Sequence, residues 1–210
     1  MAKVAGPLFS LRAAGAIAKT LVYFSWKGLK VVRSYTVPAN PKTAAQTTQR
    51  GYLTEAVAAI HAAEILAANA LDEDDQVAYA RLASTFPSPR TWFNQVAKAW
   101  IDCRVASKVP IVYSDGTVSD ETTDTIDLII YINEKTGSTL AAGKFYFGDT
   151  PTSLIHAAAA TVTPGATVAL ADADCSAFLV AGVRTYFQFK PDAADGCEGA
   201  VSGIYSFMPD

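Results

Sequence analysis

Thr125-Ile-Asp-Leu-Ile-Ile-Tyr-Ile132 decides the fold of this chain. Ile126, Leu128, Ile130 and Ile132 recur at period two, so a strand built here lays four apolar side chains on one face. Asn133-Glu-Lys-Thr-Gly137 supplies turn chemistry behind it. Gly143-Lys-Phe-Tyr-Phe-Gly148 reads as the next strand and stops at Asp149-Thr150-Pro151. Further strands are expected over 158–163 and 166–171, around the turn Pro164-Gly165, and then over 183–189 and 201–207. About seven short strands at regular spacing are the pattern of a two-layer β-sandwich.

Upstream of Pro110 the composition changes. Thr20-Leu-Val-Tyr-Phe-Ser-Trp26 and Leu29-Lys-Val-Val-Arg-Ser-Tyr-Thr-Val37 flank Lys27-Gly28, which predicts a hairpin with a two-residue loop. Such a hairpin is marginal in water and needs a partner, either the following helices or another subunit. Pro38-Ala-Asn-Pro41 stops it. A long helix is expected from about Thr43 to Ala70, with Leu53, Val57, Ile60 and Glu64 on one stripe. Leu71-Asp-Glu-Asp-Asp75 breaks it and starts a second helix, whose first-turn carboxylates suit the helix dipole. Ser88 before Pro89 predicts the start of a third helix. Trp92, Phe93, Val96 and Trp100 give that helix an aromatic face, read as core packing or as a subunit interface. The expected class is therefore α+β. Residues 1–107 form a hairpin-and-helix assembly module, and residues 108–210 form the sandwich.

The 210 residues are half hydrophobic and 18% charged, with a net charge of −3. That is enough apolar material for a core, and the overall charge points away from a nucleic-acid partner. Lys27, Lys30, Arg33, Lys42 and Arg50, interleaved with Trp26 and Tyr35, still make a modest basic stretch that suits an acidic neighbouring subunit, a solvated face or, as the minor reading, DNA. No run reaches the length of a membrane helix, and Lys3, Arg12 and Lys19 interrupt any signal-peptide core. Cys103, Cys175 and Cys197 form no CxxC pair and read as inert thiols, with a Cys175–Cys197 bridge left open.

Gly143-Lys-Phe-Tyr-Phe-Gly-Asp-Thr-Pro151, Leu179-Val-Ala-Gly-Val-Arg-Thr-Tyr-Phe-Gln-Phe189 and Ser202-Gly-Ile-Tyr205 are similar to strands C, F and G of fibronectin type III domains. Two departures stand out: Leu179 lies seven residues before Tyr186, where the family has six, and no tryptophan follows residue 100. The N-terminal half resembles a module of structural proteins of tailed bacteriophages, on Gly28-Leu-Lys-Val-Val-Arg33, Pro38-Ala-Asn-Pro-Lys-Thr-Ala-Ala-Gln46 and Gln49-Arg50. Together the two resemblances imply a virion component, such as a head decoration, neck or tail-surface protein, assembled in the host cytoplasm. Its partners would be other copies of itself and other virion proteins, with no membrane and no cofactor.

The chemistry of an enzyme is not visible. His61 and His156 have no companion motif, HExxH and clustered Cys/His are absent, and Gly196-Cys-Glu-Gly199 matches no phosphate loop. Asp72, Glu73, Asp74 and Asp75 lack the ligand spacing of a calcium loop and read as a solvated helix start. Asp115, Asp120, Glu121 and Asp124 read as a solvated loop. The expected functional residues are assembly contacts: Trp26, Lys27, Arg33, Tyr35, Arg50, Trp92, Phe93 and Trp100. A second reading is a sandwich that binds a host-surface glycan through Tyr113, Tyr131 and Tyr205.

Overall fold

A computed structural model describes residues 2–3, 15–37, 39–40, 42–119, 125–134, 140–175, 177–192 and 201–209. It shows three helices and three antiparallel four-stranded sheets, an α+β architecture. The chain divides into two compact units, Met1–Ala44 and Ala45–Asp210. The division therefore falls just after the Pro38–Pro41 stop, not at the composition change near residue 107.

The first unit is one sheet. β1 (Ala2–Lys3), β2 (Gly15–Ile17), β3 (Leu21–Trp26) and β4 (Leu29–Ser34) pair in the order β1-β4-β3-β2. The β3–β4 hairpin forms where expected. Lys27 and Gly28 both take positive φ, +46° and +77°, as a two-residue loop matched to strand twist requires.

In the second unit, helices and sheets share their packing. The helices are α1 (Ala44–Glu64), α2 (Glu73–Ser84) and α3 (Trp92–Val105). The buried positions of α1 are Ala56, Ile60 and Ala63, so its stripe is rotated from the expected one and Leu53 is exposed. α3 starts three residues later than expected, with Thr91 as N-cap and its hydroxyl accepting from Asn94 N. The Arg104 guanidinium, 3.4 Å from Glu55 and over the rings of Tyr52 and Trp100, links α3 to α1.

One sheet runs β5-β6-β10-β9 and the other β12-β11-β7-β8. The strands are β5 (Ile111–Ser119), β6 (Thr125–Glu134), β7 (Gly143–Gly148), β8 (His156–Ala159), β9 (Thr161–Thr163), β10 (Thr167–Asp174), β11 (Thr185–Pro191) and β12 (Tyr205–Phe207). The period-two isoleucines and leucine of β6 are buried as expected, in one core with Phe145 and Phe147 of β7 and Phe187 and Phe189 of β11. Tyr186 faces the other way and packs against the helical core of Ile60, Leu82, Val96 and Trp100.

The composition change is not a structural boundary because α2 closes an open edge. β5 and β12 each end a sheet, and such edges leave backbone groups unpaired. The Tyr79 hydroxyl accepts from Tyr113 N and donates to Tyr113 O, both at 3.1 Å, standing in for a strand beside β5. On the other side Ile204 N donates to Ala78 O at 3.0 Å. A Cβ at Gly203 would lie 2.7 Å from Ala78 Cβ and 2.9 Å from its carbonyl carbon, so only glycine admits this approach.

Candidate assembly surface

The N-terminal sheet has little of the burial that normally holds a sheet together. Pairing fixes its faces: Trp26 opposes Leu29, Phe24 opposes Val31 and Val22 opposes Arg33 on one side. Leu21, Tyr23 and Ser25 lie on the other, opposite Ser34, Val32 and Lys30. Among the described residues of this unit only Val31 is buried. Trp26 is 53% exposed, Val37 is 73% exposed, and Ile17, Leu21 and Leu29 are also open to solvent. The Arg33 guanidinium lies 5.4 Å over the Phe24 ring. Lys27 is exposed in the hairpin turn. Tyr35 is exposed just past β4, where its N–H donates to Thr20 O at 2.7 Å and extends the ladder.

Four expected contacts thus share the N-terminal sheet: Trp26, Lys27, Arg33 and Tyr35. The other four lie in the second unit and differ among themselves. Arg50 is exposed on the first turns of α1, where residues 44–51 bury nothing. Trp92 and Phe93 are half-buried and pack edge to face, with ring centroids 5.5 Å apart. Trp100 is only 3% exposed and sits in the helical core, so it is a packing residue and not a surface contact. It lines the floor of an apolar groove of about 470 Å³ with Ala59, Ala62, Ala63 and Leu66 of α1 and the segment after it.

The acidic segment at α2 differs most from expectation. Asp72 caps the helix, its carboxylate accepting from Asp74 N and Asp75 N, and the Asp75 carboxylate accepts in return from Asp72 N. Asp75 is 1% exposed, so it is not part of a solvated face. β5 carries a bulge between Ser114 and Thr117, with Asp115 at φ +49°. A bulge leaves backbone N–H groups without strand partners. Asp75 accepts from Asp115 N at 2.8 Å and from Gly116 N at 3.4 Å, and the Tyr205 hydroxyl donates to it at 2.7 Å.

Burial raises the pKa of Asp75, against the lowering effect of Tyr205 and of the backbone donors. Tyr205 and Tyr79 are raised as well, by burial first; for Tyr205 the Asp75 charge comes next. Asp115 is raised by partial burial and then by the Asp72 charge. The sequence signal is limited to the cap: an acid at Asp72 with another three residues on at Asp75 fits a capping box, and nothing local marks the inward turn of Asp75.

No group of three His, Cys, Asp or Glu among the described residues is arranged to hold a metal. His61 Nδ1 lies 2.7 Å from Glu64 Oε2, and His156 stacks on Phe178 with centroids 4.6 Å apart. Of the tyrosines considered for glycan binding, Tyr113 and Tyr205 are buried and Tyr131 is half-buried. Cys103 and Cys175 are buried, and Cys197, Asp120, Glu121 and Asp124 lie outside the described residues. No described helix is long and apolar enough to cross a membrane. No family model matches the chain, and no match was found among curated proteins or solved structures.

Proposed function

We propose that the chain is a non-enzymatic structural protein of a bacteriophage particle, a head-decoration, neck or tail-surface component that works through protein–protein contacts. The observation that carries this is the N-terminal sheet, which leaves apolar side chains open while burying only Val31 among its described residues. A sheet of that kind gains its stability from a partner. The particle itself is inferred from the resemblance carried by Gly28–Arg33 and Pro38–Gln46. The pairing orders β5-β6-β10-β9 and β8-β7-β11-β12 support an Ig-like or fibronectin-type sandwich, since they follow strands A-B-E-D and C′-C-F-G. Binding of a host glycan is less well supported, because Tyr113 and Tyr205 are buried.

The test is the composition of purified particles. An antibody against the chain should label intact virions, and the chain should stay with them through gradient purification. A chain found only in the soluble fraction of the lysate would sink the reading.

A further inference from the structure

The net charge of −3 conceals a separation of charge. Residues 1–44 contain seven Lys and Arg and no Asp or Glu. Residues 45–210 hold the other ten basic residues together with all twenty acids. The first compact unit therefore carries +7 and the second −10. Within the first unit Lys19 and Lys27 occupy turns, while Lys30 and Arg33 stand on β4, and all four are exposed. The unit contains no carboxylate side chain to offset its positive charge. The face that carries Arg33 also carries the exposed Trp26 and Leu29, and the face that carries Lys30 carries the exposed Leu21. Exposed aliphatic side chains are of little use to a polyanionic strand, whereas apolar groups mixed with arginine and aromatics compose a protein interface.

We infer that the N-terminal sheet of one copy docks on the acidic second unit of another copy, in a head-to-tail contact. This deepens the reading of the chain as an assembly protein and rests on it. A symmetric contact between two N-terminal sheets would bring +7 against +7, which like-charge repulsion opposes. The complementary surface belongs to the same chain and is present at the same concentration. A contact between two different surfaces leaves one of each unsatisfied until the copies close on themselves, as a reciprocal pair or a ring, or grow as a filament.

Light scattering after size exclusion tests this on the full chain. At about 0.1 M salt the screening length is about 10 Å, and at about 1 M it falls to about 3 Å. The expected result is an assembly of two or more copies at the lower salt that loses mass toward the monomer at the higher. Reversing the charge at Lys27→Glu, Lys30→Glu and Arg33→Glu should leave a monomer with an unchanged circular dichroism spectrum. If that variant misfolds, Lys19→Glu with Lys27→Glu, confined to the two turns, should cause the same loss of mass. Either variant still offers its acidic unit, so adding it to the unaltered chain should cap growth and lower the mean mass in proportion to the amount added.

A dimer that ignores salt and the added variant would overturn the inference. So would a monomer at both salts, and in that case labelling of virions would still uphold the structural reading. A monomer that retards a labelled oligothymidylate at low salt would also overturn it and make the basic sheet a nucleic-acid surface.

Discussion

The Tyr205 hydroxyl donates a 2.7 Å hydrogen bond to Asp75 Oδ1 across 130 residues of chain. The same carboxylate satisfies the bulge of β5, so one buried side chain ties the start of α2 to the edge strands of both C-terminal sheets. Asp75→Ala would strand the hydroxyl and the bulge N–H groups without an acceptor. The expected loss is about 3 kcal/mol, read from urea denaturation, and Tyr205→Phe should cost about 2 kcal/mol. Losses near zero for both would mean that water replaces the carboxylate.

The pH dependence of Asp75 follows from the direction of its shift. Its pKa is raised in the folded protein, so the folded state holds the proton more tightly than the unfolded chain does. This group's contribution is fully present below the unfolded value of 3.8 and is lost as pH rises through the folded value. Asp75→Asn cannot ionise and escapes that loss. The stability of the variant relative to the unaltered protein should therefore improve between acidic and neutral pH. A relative decline, measured by urea midpoints, would show that the donors around Asp75 outweigh its burial.

Gly203→Ala should drive α2 away from β12, because the added methyl meets Ala78 inside van der Waals distance. Overpacking of this kind costs about 1–3 kcal/mol. Thermal denaturation should show the loss. An unchanged melting temperature would mean that the 203–204 backbone moves aside freely.

Two tryptophans should behave oppositely. Trp100→Ala empties the helical core and should cost about 3–5 kcal/mol. Trp26→Ala removes an exposed ring and should leave the melting transition of the isolated chain within about 0.5 kcal/mol, while weakening association. Parallel calorimetry and light scattering separate the two effects. Equal losses of stability would place Trp26 in a core.

Limited trypsin digestion should cut at Lys42 and Arg50, both exposed, and spare the half-buried Arg81 and Arg104 in the helices of the second unit. A fragment starting at residue 108 should be unfolded, since it lacks the Tyr79 and Ala78 groups that close β5 and β12. A cooperative melt of that fragment would contradict the sealing role of α2.

The local rules that succeed are those with strong periodicity or obligatory turn chemistry. Ile126–Ile132 alternates, and Lys27-Gly28 demands positive φ, so β6 and the hairpin are legible from the residues alone. β5 is not. Its Ser114-Asp115-Gly116 bulge breaks the alternation and resembles a polar loop. The domain boundary is hidden for a related reason: composition reports secondary structure, whereas a unit is defined by what packs together. Nothing in the segment Asp72–Asp75 says that its last carboxylate faces inward, because its donors come from residues 115, 116 and 205. Among the expected contacts, the hairpin pattern groups Trp26, Lys27, Arg33 and Tyr35 at the first sheet, where all four are exposed. The burial of Trp100 is not fixed by the pattern, since a four-residue aromatic spacing fits a core and also an interface.

The sealing of β5 and β12 by α2 also sets an order of events during synthesis. α2 and β5 leave the ribosome long before Ile204 and Tyr205 are made. Until then Asp75 lacks its hydroxyl donor, Ala78 O lacks its N–H, and Phe187 lacks the ring that stacks on it. The contacts that seal the two sheet edges of the second unit therefore cannot all form until its last strand has been made.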